Sequence, residues 1–431
     1  MPSETGASSA DEAPVDGTRE DWRNTILAGL ANYIDAGSIV AGSAALAIWV
    51  ERYHLSTGFV GLLGAFSANA ISAGIGALIG GRLCDRFGRK KIYQYDMLFY
   101  AFGMAWLVFA VQPWMILLGF VLVGLAVGAD IPASWSLIAE MAPKRARGKH
   151  SGVAQVLWYA GPVVVLLMFF FLAPLGELGA RLIFAHLAIV AVVLTAMRSR
   201  MRESRLWEDA KAAADASTSE KGGHWRAVFA PKNLRAMAFL IGMYGLWNLW
   251  AGTNGFFFPY ILRTVGSQSQ ATSVALQAAN FALAMASIYL IFMRFSDRVN
   301  QRLLFALSAI VQVAGMALLA IFPLTLPVAM GYVVLVAVGG GFGAQSFFQL
   351  WSSELFPTLN RSTAQGVTFA VVRIGLGVFS FFVPILTATG FHTLAWILVG
   401  FLVASGVIGT IWAPRHEGRS LEEIEQARSV S

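Results

Sequence analysis

Charged side chains interrupt long apolar stretches of this 431-residue chain, and two of them are carboxylates. Asp35 lies in Asn32-Tyr-Ile-Asp-Ala-Gly-Ser38, and Asp130 lies in Val127-Gly-Ala-Asp-Ile-Pro132. A charge surrounded by hydrocarbon is costly, so such residues usually serve a function. Removal from water favours the protonated form of a carboxyl group, which can then take up and release a proton. Structural alternatives stay open: Asp35 could lie at a wetted helix end, and a helix broken at the proline could solvate Asp130.

A third interruption is Arg373, which lies in Val371-Val-Arg-Ile-Gly375 and carries a positive charge. A guanidinium at this depth needs an anionic partner, and the sequence offers Asp35, Asp130 or the carboxylate of a substrate. An internal ion pair would only stabilise one conformation. If Arg373 pairs with an aspartate, the substrate can be neutral; if it does not, an organic anion becomes the stronger candidate.

Polar amides and aromatic side chains form a second group of candidates in otherwise apolar stretches. Amides hydrogen-bond hydroxyl groups, and Trp or Tyr rings offer faces to the C–H surfaces of a sugar. Each residue could instead hold neighbouring helices together. With Arg373, the predicted substrate-binding residues are Gln155, Trp158, Asn248, Asn254, Gln345 and Gln349.

Catalytic and metal-binding patterns are not found in the sequence. His186 and His392 have no second metal ligand at a suitable spacing, and neither a phosphate-binding loop nor a Ser/His/Asp arrangement is evident. The single cysteine, Cys84, excludes an intrachain disulfide. We therefore expect a protein that is not an enzyme and that binds neither a metal nor an organic cofactor.

The composition indicates a membrane protein. Hydrophobic residues make up 57% of the chain, charged residues only 13%, and the mean hydropathy is +0.64. A soluble protein carries roughly 25% charged residues, so we predict an all-α protein that spans a lipid bilayer. Most Lys and Arg residues fall in loops on one predicted side. The net charge of +7 therefore reflects membrane orientation and not a nucleic-acid partner.

About twelve apolar stretches of roughly 20 residues account for nearly all of the chain. We predict a disordered tail over 1–24, six helices over 25–197, a linker over 198–233, six helices over 234–413 and a polar tail over 414–431. The two halves repeat weakly, since Glu140 and Glu354 each precede an arginine by seven residues with a proline between them. In membrane transporters that are built from two such repeats, the substrate site lies near the bilayer midplane between the repeats.

Charged loops between these stretches predict a cytoplasmic gate. The loop Gly81-Arg-Leu-Cys-Asp-Arg-Phe-Gly-Arg-Lys-Lys91 holds five cations that cannot lie in hydrocarbon, and 294–302 occupies the same place in the second half. Ion pairs between such loops would break when the molecule opens inward. The predicted gate residues are Gly81, Asp85, Arg86, Gly88, Arg89, Glu140, Arg147, Asp297, Arg298, Glu354 and Arg361.

Several of these strings resemble motifs of the major facilitator superfamily, and in particular of its sugar-porter branch. The loop 81–91 resembles the segment between the second and third helices, and Ser353-Glu-Leu-Phe-Pro357 resembles the one after the tenth. Asn248-Leu-Trp-Ala-Gly-Thr-Asn254 resembles the seventh helix, and 414–425 resembles the segment after the last. The resemblance spans nearly the whole chain. It implies the major facilitator fold, with two six-helix halves, and sugar hydroxyls bound by Gln155 and the seventh helix.

Other positions depart from the sugar-porter pattern. Phe120 stands where proton-coupled members place a fourth-helix arginine, Leu249 replaces a glutamine and Gln349 replaces a tryptophan. Arg373 is similar to the eleventh-helix arginine of organic-anion carriers in a neighbouring branch. The resemblance implies a proton symporter for a sugar or polyol. Carriage of a sugar acid or aromatic acid, export of a metabolite or drug, and a non-transporting membrane sensor stay open.

The resemblance also implies a location and partners. We expect a monomer in the cytoplasmic (inner) membrane, with both termini in the cytoplasm. Its partners would be a small-molecule substrate and the lipid bilayer. The coupling ion would be a proton, carried by Asp35 with help from Asp130.

Overall fold

A computed structural model describes residues 18–143, 146–199, 203–216 and 228–414. Within these residues the chain is almost entirely helical, and its helices form twelve membrane-crossing stretches, called spans 1 to 12 here. The prediction of about twelve helices is thereby confirmed. The predicted tail over 414–431 lies outside the described residues except for its first residue, as do residues 1–17 of the other tail.

Spans 1 to 6 form the first half. Their helices are Arg19–Tyr53, Thr57–Ala65 with Ile71–Phe87, Arg89–Val108, Pro113–Met141, Arg147–Leu172 and Glu177–Arg198. Span 1 begins earlier than predicted because Thr18 caps it: the Thr18 hydroxyl accepts from the Asp21 amide, and the Asp21 carboxylate accepts from the Thr18 amide. Residues 19–24, predicted to be disordered, are therefore helical.

The loop predicted over 81–91 is almost entirely helical. Span 2 ends at Phe87 and span 3 begins at Arg89, so Gly88 alone separates them. Its φ of +101° is a conformation that residues with a side chain rarely adopt. The Glu203 carboxylate accepts hydrogen bonds from the amides of Arg89 and Lys90, which a helix start otherwise leaves without partners. The predicted linker thus supports span 3, and it also contains the helix Arg205–Ala216.

Spans 7 to 12 form the second half. Span 7 consists of Pro231–Leu240, Leu246–Gly252 and Phe258–Thr264, joined by the π turns Ile241–Gly245 and Thr253–Phe257. Spans 8 to 10 are Gln270–Ser287 with Ile288–Phe292 and Met293–Phe295, then Gln301–Ile321, then Leu326–Gly341 with Ala344–Glu354. The helix Arg361–Trp412 contains spans 11 and 12, which part at Gly390, where the backbone is not helical.

Not every span is a continuous apolar helix. By length and composition alone, seven of the described helices could cross a membrane, one of which contains spans 11 and 12. Span 2 is interrupted over 66–70, span 10 at Phe342 and Gly343, and span 7 at its π turns. Interrupted membrane helices are tolerated where they line a cavity or are covered by protein. The interruptions therefore mark the region in which a binding site is expected.

Two seams join the halves at the end that carries Gly88 and Asp297, called the charged end here. Along the first seam span 2 packs against span 11, and a Cβ atom at Gly81 would collide with the Ser362 carbonyl. Along the second, span 5 packs against span 8, and a Cβ at Gly152 would collide with Met293. Small residues let these helices approach closely.

Spans of the two halves also meet at the opposite end. The Ser43 hydroxyl of span 1 donates to the Phe256 carbonyl of span 7 at 2.7 Å. Beyond this contact the same two spans wall an outer vestibule that contains Glu51 and Arg263. The central cavity thus lies between the charged end and an opposite end at which the halves also touch.

Candidate functional site

A cavity lies between the two halves, and residues of both halves wall it. Only about 60 Å³ of it has room for water-sized spheres, well below the roughly 300–1,000 Å³ typical of small-ligand sites, so the side chains must move apart to admit a ligand. Spans 1, 2 and 5 contribute from the first half, and spans 7, 8, 10 and 11 from the second. The predicted substrate-binding residues that line it are Trp158, Asn248, Asn254, Gln345 and Arg373.

Arg373 is the polar centre of the cavity wall, and it is only 3% exposed. Its Nη1 atom donates to the Asn248 amide oxygen at 3.1 Å and to the Asn69 carbonyl at 3.2 Å. Its Nη2 atom donates to the Tyr244 hydroxyl at 3.1 Å. These bonds tie span 11 to span 7 and to the interruption of span 2, so they also connect the two halves.

All of these acceptors are neutral. The guanidinium carbon also lies 4.3 Å from the centroid of the Phe369 ring, which supplies a further favourable contact. Among the described residues, the structure shows Arg373 paired with neither Asp35 nor Asp130. A buried positive charge without a carboxylate therefore faces the cavity, and an anion or an oxygen-rich ligand would stabilise it.

Hydrogen bonds orient the amides around this guanidinium. The Tyr244 hydroxyl donates to the Gln345 amide oxygen at 2.7 Å, which leaves the Gln345 amide nitrogen as a donor. The Asn254 amide oxygen accepts from a tyrosine of span 10 at 2.7 Å. The amide nitrogen of Asn280, which also lines the cavity, is buried without a hydrogen-bond partner among the described residues. The wall thus presents amide donors to a ligand that carries oxygen atoms.

Interrupted helices position these side chains. Asn248 lies between the π turns of span 7, and Asn254 lies within the second of them. The interruption of span 10 immediately precedes Gln345, and that of span 2 frees the Asn69 carbonyl to accept from Arg373. Single-turn π segments are frequent at functional sites because they re-aim side chains.

Gln155 and Gln349, also predicted to bind substrate, are absent from the cavity lining. Gln155 donates to the Gln349 amide oxygen across the interface of the two halves. Gln349 lies one helical turn from Gln345, on the side of the charged end. This pair therefore closes the space between the cavity and the charged end.

Asp35 and Asp130 lie outside the cavity lining, in a buried charge cluster of the first half. Arg198 Nη1 is 3.2 Å from Asp130 Oδ1 and 3.8 Å from Asp96 Oδ1. The same atom donates to the Tyr93 carbonyl at 3.1 Å, and the guanidinium carbon lies 3.5 Å from the Tyr93 ring centroid. Asp35 faces this group from span 1, and each of the four charged residues is less than a tenth exposed.

Sequence analysis missed Asp96 and Arg198. Arg198 was assigned to the linker, whereas the structure shows it as the last residue of span 6. Asp96 follows the cationic loop 81–91 by five residues, and no motif in the sequence singles it out. Phe120 packs against Trp49, with ring centroids 5.8 Å apart, so the position expected to hold an arginine is apolar. The cation beside these carboxylates is Arg198, which comes from span 6 instead.

Two matching contacts close the charged end, one from each half. The Asp85 carboxylate accepts from the Thr363 amide at 2.6 Å. The Asp297 carboxylate accepts from the amides of Gly148 and Lys149 at 3.0 and 3.1 Å. Each aspartate thus binds the N-terminal turn of a helix in the other half, where the helix dipole favours an anion. Burial raises the pKa of the Asp297 carboxyl, and the two amide donors oppose this effect.

Buried ion pairs reinforce these contacts. Glu140 Oε1 accepts from Arg361 Nη1 at 2.6 Å and from Arg89 Nη2 at 3.1 Å, so one carboxylate binds an arginine from each half. Arg147 Nη2 and Glu354 Oε1, 3.3 Å apart, form the corresponding pair across the interface. Opening the charged end must break all of these interactions together.

Two of the predicted gate residues occupy different positions. Arg86 and Arg298 are exposed. Among the described residues, neither side chain forms a contact with the other half. The Arg86 guanidinium carbon lies 5.0 Å from the centroid of the neighbouring Phe87 ring. A gating role for these two arginines stays a prediction. Gly81 and Gly88, in contrast, act through close approach and a tight turn.

Comparison with known proteins agrees with this architecture. Residues 25–380 match the family model described as Major Facilitator Superfamily. The chain is 45% identical over 411 residues to the minor myo-inositol transporter IolF of Bacillus subtilis, which covers 94% of this chain and 93% of that protein. It is 26% identical over 398 residues to the cis,cis-muconate transport protein of Acinetobacter baylyi, covering 88% and 91%. The solved structure of the proton:xylose symporter XylE superposes with a TM-score of 0.77 at 20% identity, covering 95% and 98%.

Two six-helix halves around a central cavity, closed at one end by charged contacts, define a multi-pass membrane transporter and not an enzyme. The family model covers most of the chain, and the protein belongs to the Major Facilitator Superfamily. The fold class and the family expected from the sequence are confirmed. The structure places residues 19–24, 198 and 231–233 in helices; the other boundaries predicted for the two halves, the linker and the tails stay predictions.

A disulfide across the charged end tests whether this closure must open during transport. The Ser362 hydroxyl donates to the Ser136 hydroxyl at 3.0 Å across the halves, and Cys84 is the only native cysteine. In a Cys84→Ala background, Ser136→Cys with Ser362→Cys should form a disulfide, because the side chains already meet. We expect uptake into proteoliposomes to stop on oxidation and to return with a reductant. Each single substitution is the control, and undiminished uptake by the oxidised pair would contradict the gate.

Proposed function

We propose that this transporter moves a polyol or a related small polyhydroxyl metabolite across the cytoplasmic membrane together with a proton. The observation that carries the proposal is the central cavity, in which amides and one guanidinium face aromatic rings. Hydroxyl groups donate and accept hydrogen bonds, which suits amides, while a tryptophan face suits the C–H surface of a ring. The 45% identity to a myo-inositol transporter over 94% of the chain supports the same substrate class.

In this proposal Asn248, Asn254 and Gln345 bind substrate hydroxyl groups, and the Trp158 ring packs against the carbon skeleton. Arg373 holds Asn248 in position and adds a charged donor to the same wall. Gln155 and Gln349 would lose their mutual hydrogen bond when the charged end opens. Their amides would then meet the substrate as it leaves the cavity.

Asp35 is proposed to carry the coupling proton, helped by Asp130. Asp35 is 1% exposed, and neither of its carboxylate oxygens has a hydrogen-bond partner among the described residues. Protonation removes the cost of keeping such a group charged away from water. Ala36, its neighbour in span 1, lines the cavity, so span 1 can connect the proton to the substrate.

A second candidate function is proton-coupled transport of an organic anion. The observation that favours it is Arg373, whose acceptors among the described residues are all neutral. A substrate carboxylate could bind this guanidinium with two parallel hydrogen bonds. The similarity to a cis,cis-muconate transport protein is compatible with such a substrate.

The cationic loops favour an orientation with the charged end and both termini in the cytoplasm. One chain walls the whole cavity, so a monomer suffices for transport. Export would use the same cavity with the cycle run in reverse.

A ligand panel distinguishes the two candidate substrates. Purified protein is heated with myo-inositol and other neutral polyols, with the matching sugar acids, and with aromatic acids. A ligand of the native state raises the melting temperature by mass action. The proposal predicts that neutral polyols raise it, and that Asn248→Ala removes the response while Arg181→Gln, at the opposite end, does not. Stabilisation by carboxylates alone, lost in Arg373→Gln, would replace the polyol by an organic anion.

A further inference from the structure

Charged residues of four spans meet in the interior of the first half. Arg198 Nη1 lies 3.2 Å from Asp130 Oδ1 and 3.8 Å from Asp96 Oδ1, so the two carboxyl groups flank the same guanidinium nitrogen. Asp35 approaches the same group from span 1. Three carboxylates and one guanidinium away from water leave two negative charges uncompensated. Two adjacent carboxylates avoid such repulsion by retaining one proton between them.

We propose that Asp96 and Asp130 form a carboxyl pair that binds one proton, as a site additional to Asp35, and that Arg198 sets the proton affinity of the pair. Neither oxygen of Asp96, nor Oδ2 of Asp130, receives a hydrogen bond from a donor among the described residues. A shared proton supplies the missing donor. The inference rests on the proposed function only for the identity of the coupling ion.

Of the described groups around the carboxyl pair, Arg198 is the one that provides a positive charge in contact with it. Cys84 of span 2 and Tyr93 of span 3 also face it, as do Asp35 from span 1 and Tyr100, which lies beside Asp35. The hydroxyl groups of both tyrosines donate to carbonyls of span 1, at 2.5 and 2.6 Å, and are therefore engaged. Arg198 supplies the cation that the structure shows in contact with the pair.

The pair is connected to the charged end by span 3 and by the segment after span 6. Asp96 lies two turns from the start of span 3, where Arg89 binds Glu140 of the gate. Glu203, five residues after Arg198, accepts hydrogen bonds from the first amides of span 3. A change of charge at the pair therefore acts on a helix that carries a gate residue. Proton binding there can bias the equilibrium between closed and open states.

Infrared difference spectroscopy tests the proposal without any substrate. The carbonyl-stretching band of protonated carboxyl groups is followed while the purified full-length protein is titrated. We expect Asp35→Asn to remove one component of this band and to leave a second, which Asp96→Asn removes. Arg198→Gln should move the midpoint of the second component to higher pH by about one to three units, because a nearby cation favours the carboxylate.

Matched variants keep the test specific. Arg198→Lys retains the positive charge, and it should shift the midpoint less than Arg198→Gln and in the same direction, so it also serves if Arg198→Gln does not fold. Arg181→Gln, which removes an arginine from the other end of span 6, should leave the midpoint unchanged.

Three outcomes decide the matter. A wild-type band in Asp96→Asn, with unchanged amplitude and midpoint, would overturn the second proton site. If the midpoint of the second component stays at its wild-type pH in a folded Arg198→Gln or Arg198→Lys protein, the proposed role of Arg198 is overturned. If the band responds as expected while no polyol is bound or transported, the inference stands and the proposed function fails.

Discussion

Asp35→Asn should abolish uphill accumulation of the substrate while counterflow continues. The substitution preserves the size of the side chain but removes its ability to gain and lose a proton. Asp35 is buried and does not line the cavity, so substrate binding and the exchange of conformations should persist. Without a proton to bind, the cycle can only equilibrate the substrate across the membrane.

The measurement compares two assays on the same proteoliposomes. Uptake driven by a pH gradient should fall to the level of passive equilibration, while exchange of labelled for unlabelled substrate should remain close to that of the wild type. Asp209→Asn, in the exposed part of the helix Arg205–Ala216, is the matched control and should change neither assay. Continued accumulation by Asp35→Asn would remove Asp35 from proton coupling.

Arg373→Gln should weaken substrate binding by about tenfold to a hundredfold. The substitution removes the donor that fixes Asn248 and the Tyr244 hydroxyl. A hydrogen bond to a charged group contributes about 1.5–3 kcal/mol, and about 1.4 kcal/mol corresponds to a factor of ten in affinity. Calorimetric titration with myo-inositol measures the change directly, and Arg181→Gln should bind as the wild type does.

Arg373→Lys separates the two roles of this guanidinium. Lysine keeps the charge but cannot bind two acceptors in the planar geometry of arginine. If the substrate is a polyol, lysine should restore little of the affinity, because the affinity then depends on how the guanidinium orients the cavity amides. If the substrate is an organic anion, lysine should restore much of it. Unchanged affinity in both variants would exclude Arg373 from the site.

The number of spans and the repeat could be predicted because each depends on local patterns. Long apolar stretches specify membrane helices, and cations with glycine specify their ends. In each half a carboxylate precedes an arginine by seven residues, and the structure pairs these residues across the halves, Glu140 with Arg361 and Arg147 with Glu354. Because both halves carry the same glutamate–arginine spacing, the glutamate of each half can pair with the arginine of the other.

The partners of the intramembrane charges could not be predicted, because they depend on helix rotation and on interruptions that apolar patterns do not encode. Arg373 binds neutral acceptors, one of them at the interruption of span 2, whereas the sequence offered Asp35, Asp130 or a substrate carboxylate as its partner. Asp130 binds Arg198, which lies 68 residues away at a span end. Gln155 and Gln349 lie one turn from the cavity and are hydrogen-bonded to each other. Spacing along a helix cannot decide whether a side chain lines the cavity or lies one turn away from it.

The most direct test of the account is whether the substrate moves protons. Wild-type protein is reconstituted into liposomes in weakly buffered medium, and the external pH is recorded after myo-inositol is added outside. Proton-coupled polyol transport predicts alkalinisation of the medium, abolished by Asp35→Asn and retained in Asp209→Asn. Entry of myo-inositol without any change in pH would contradict the account.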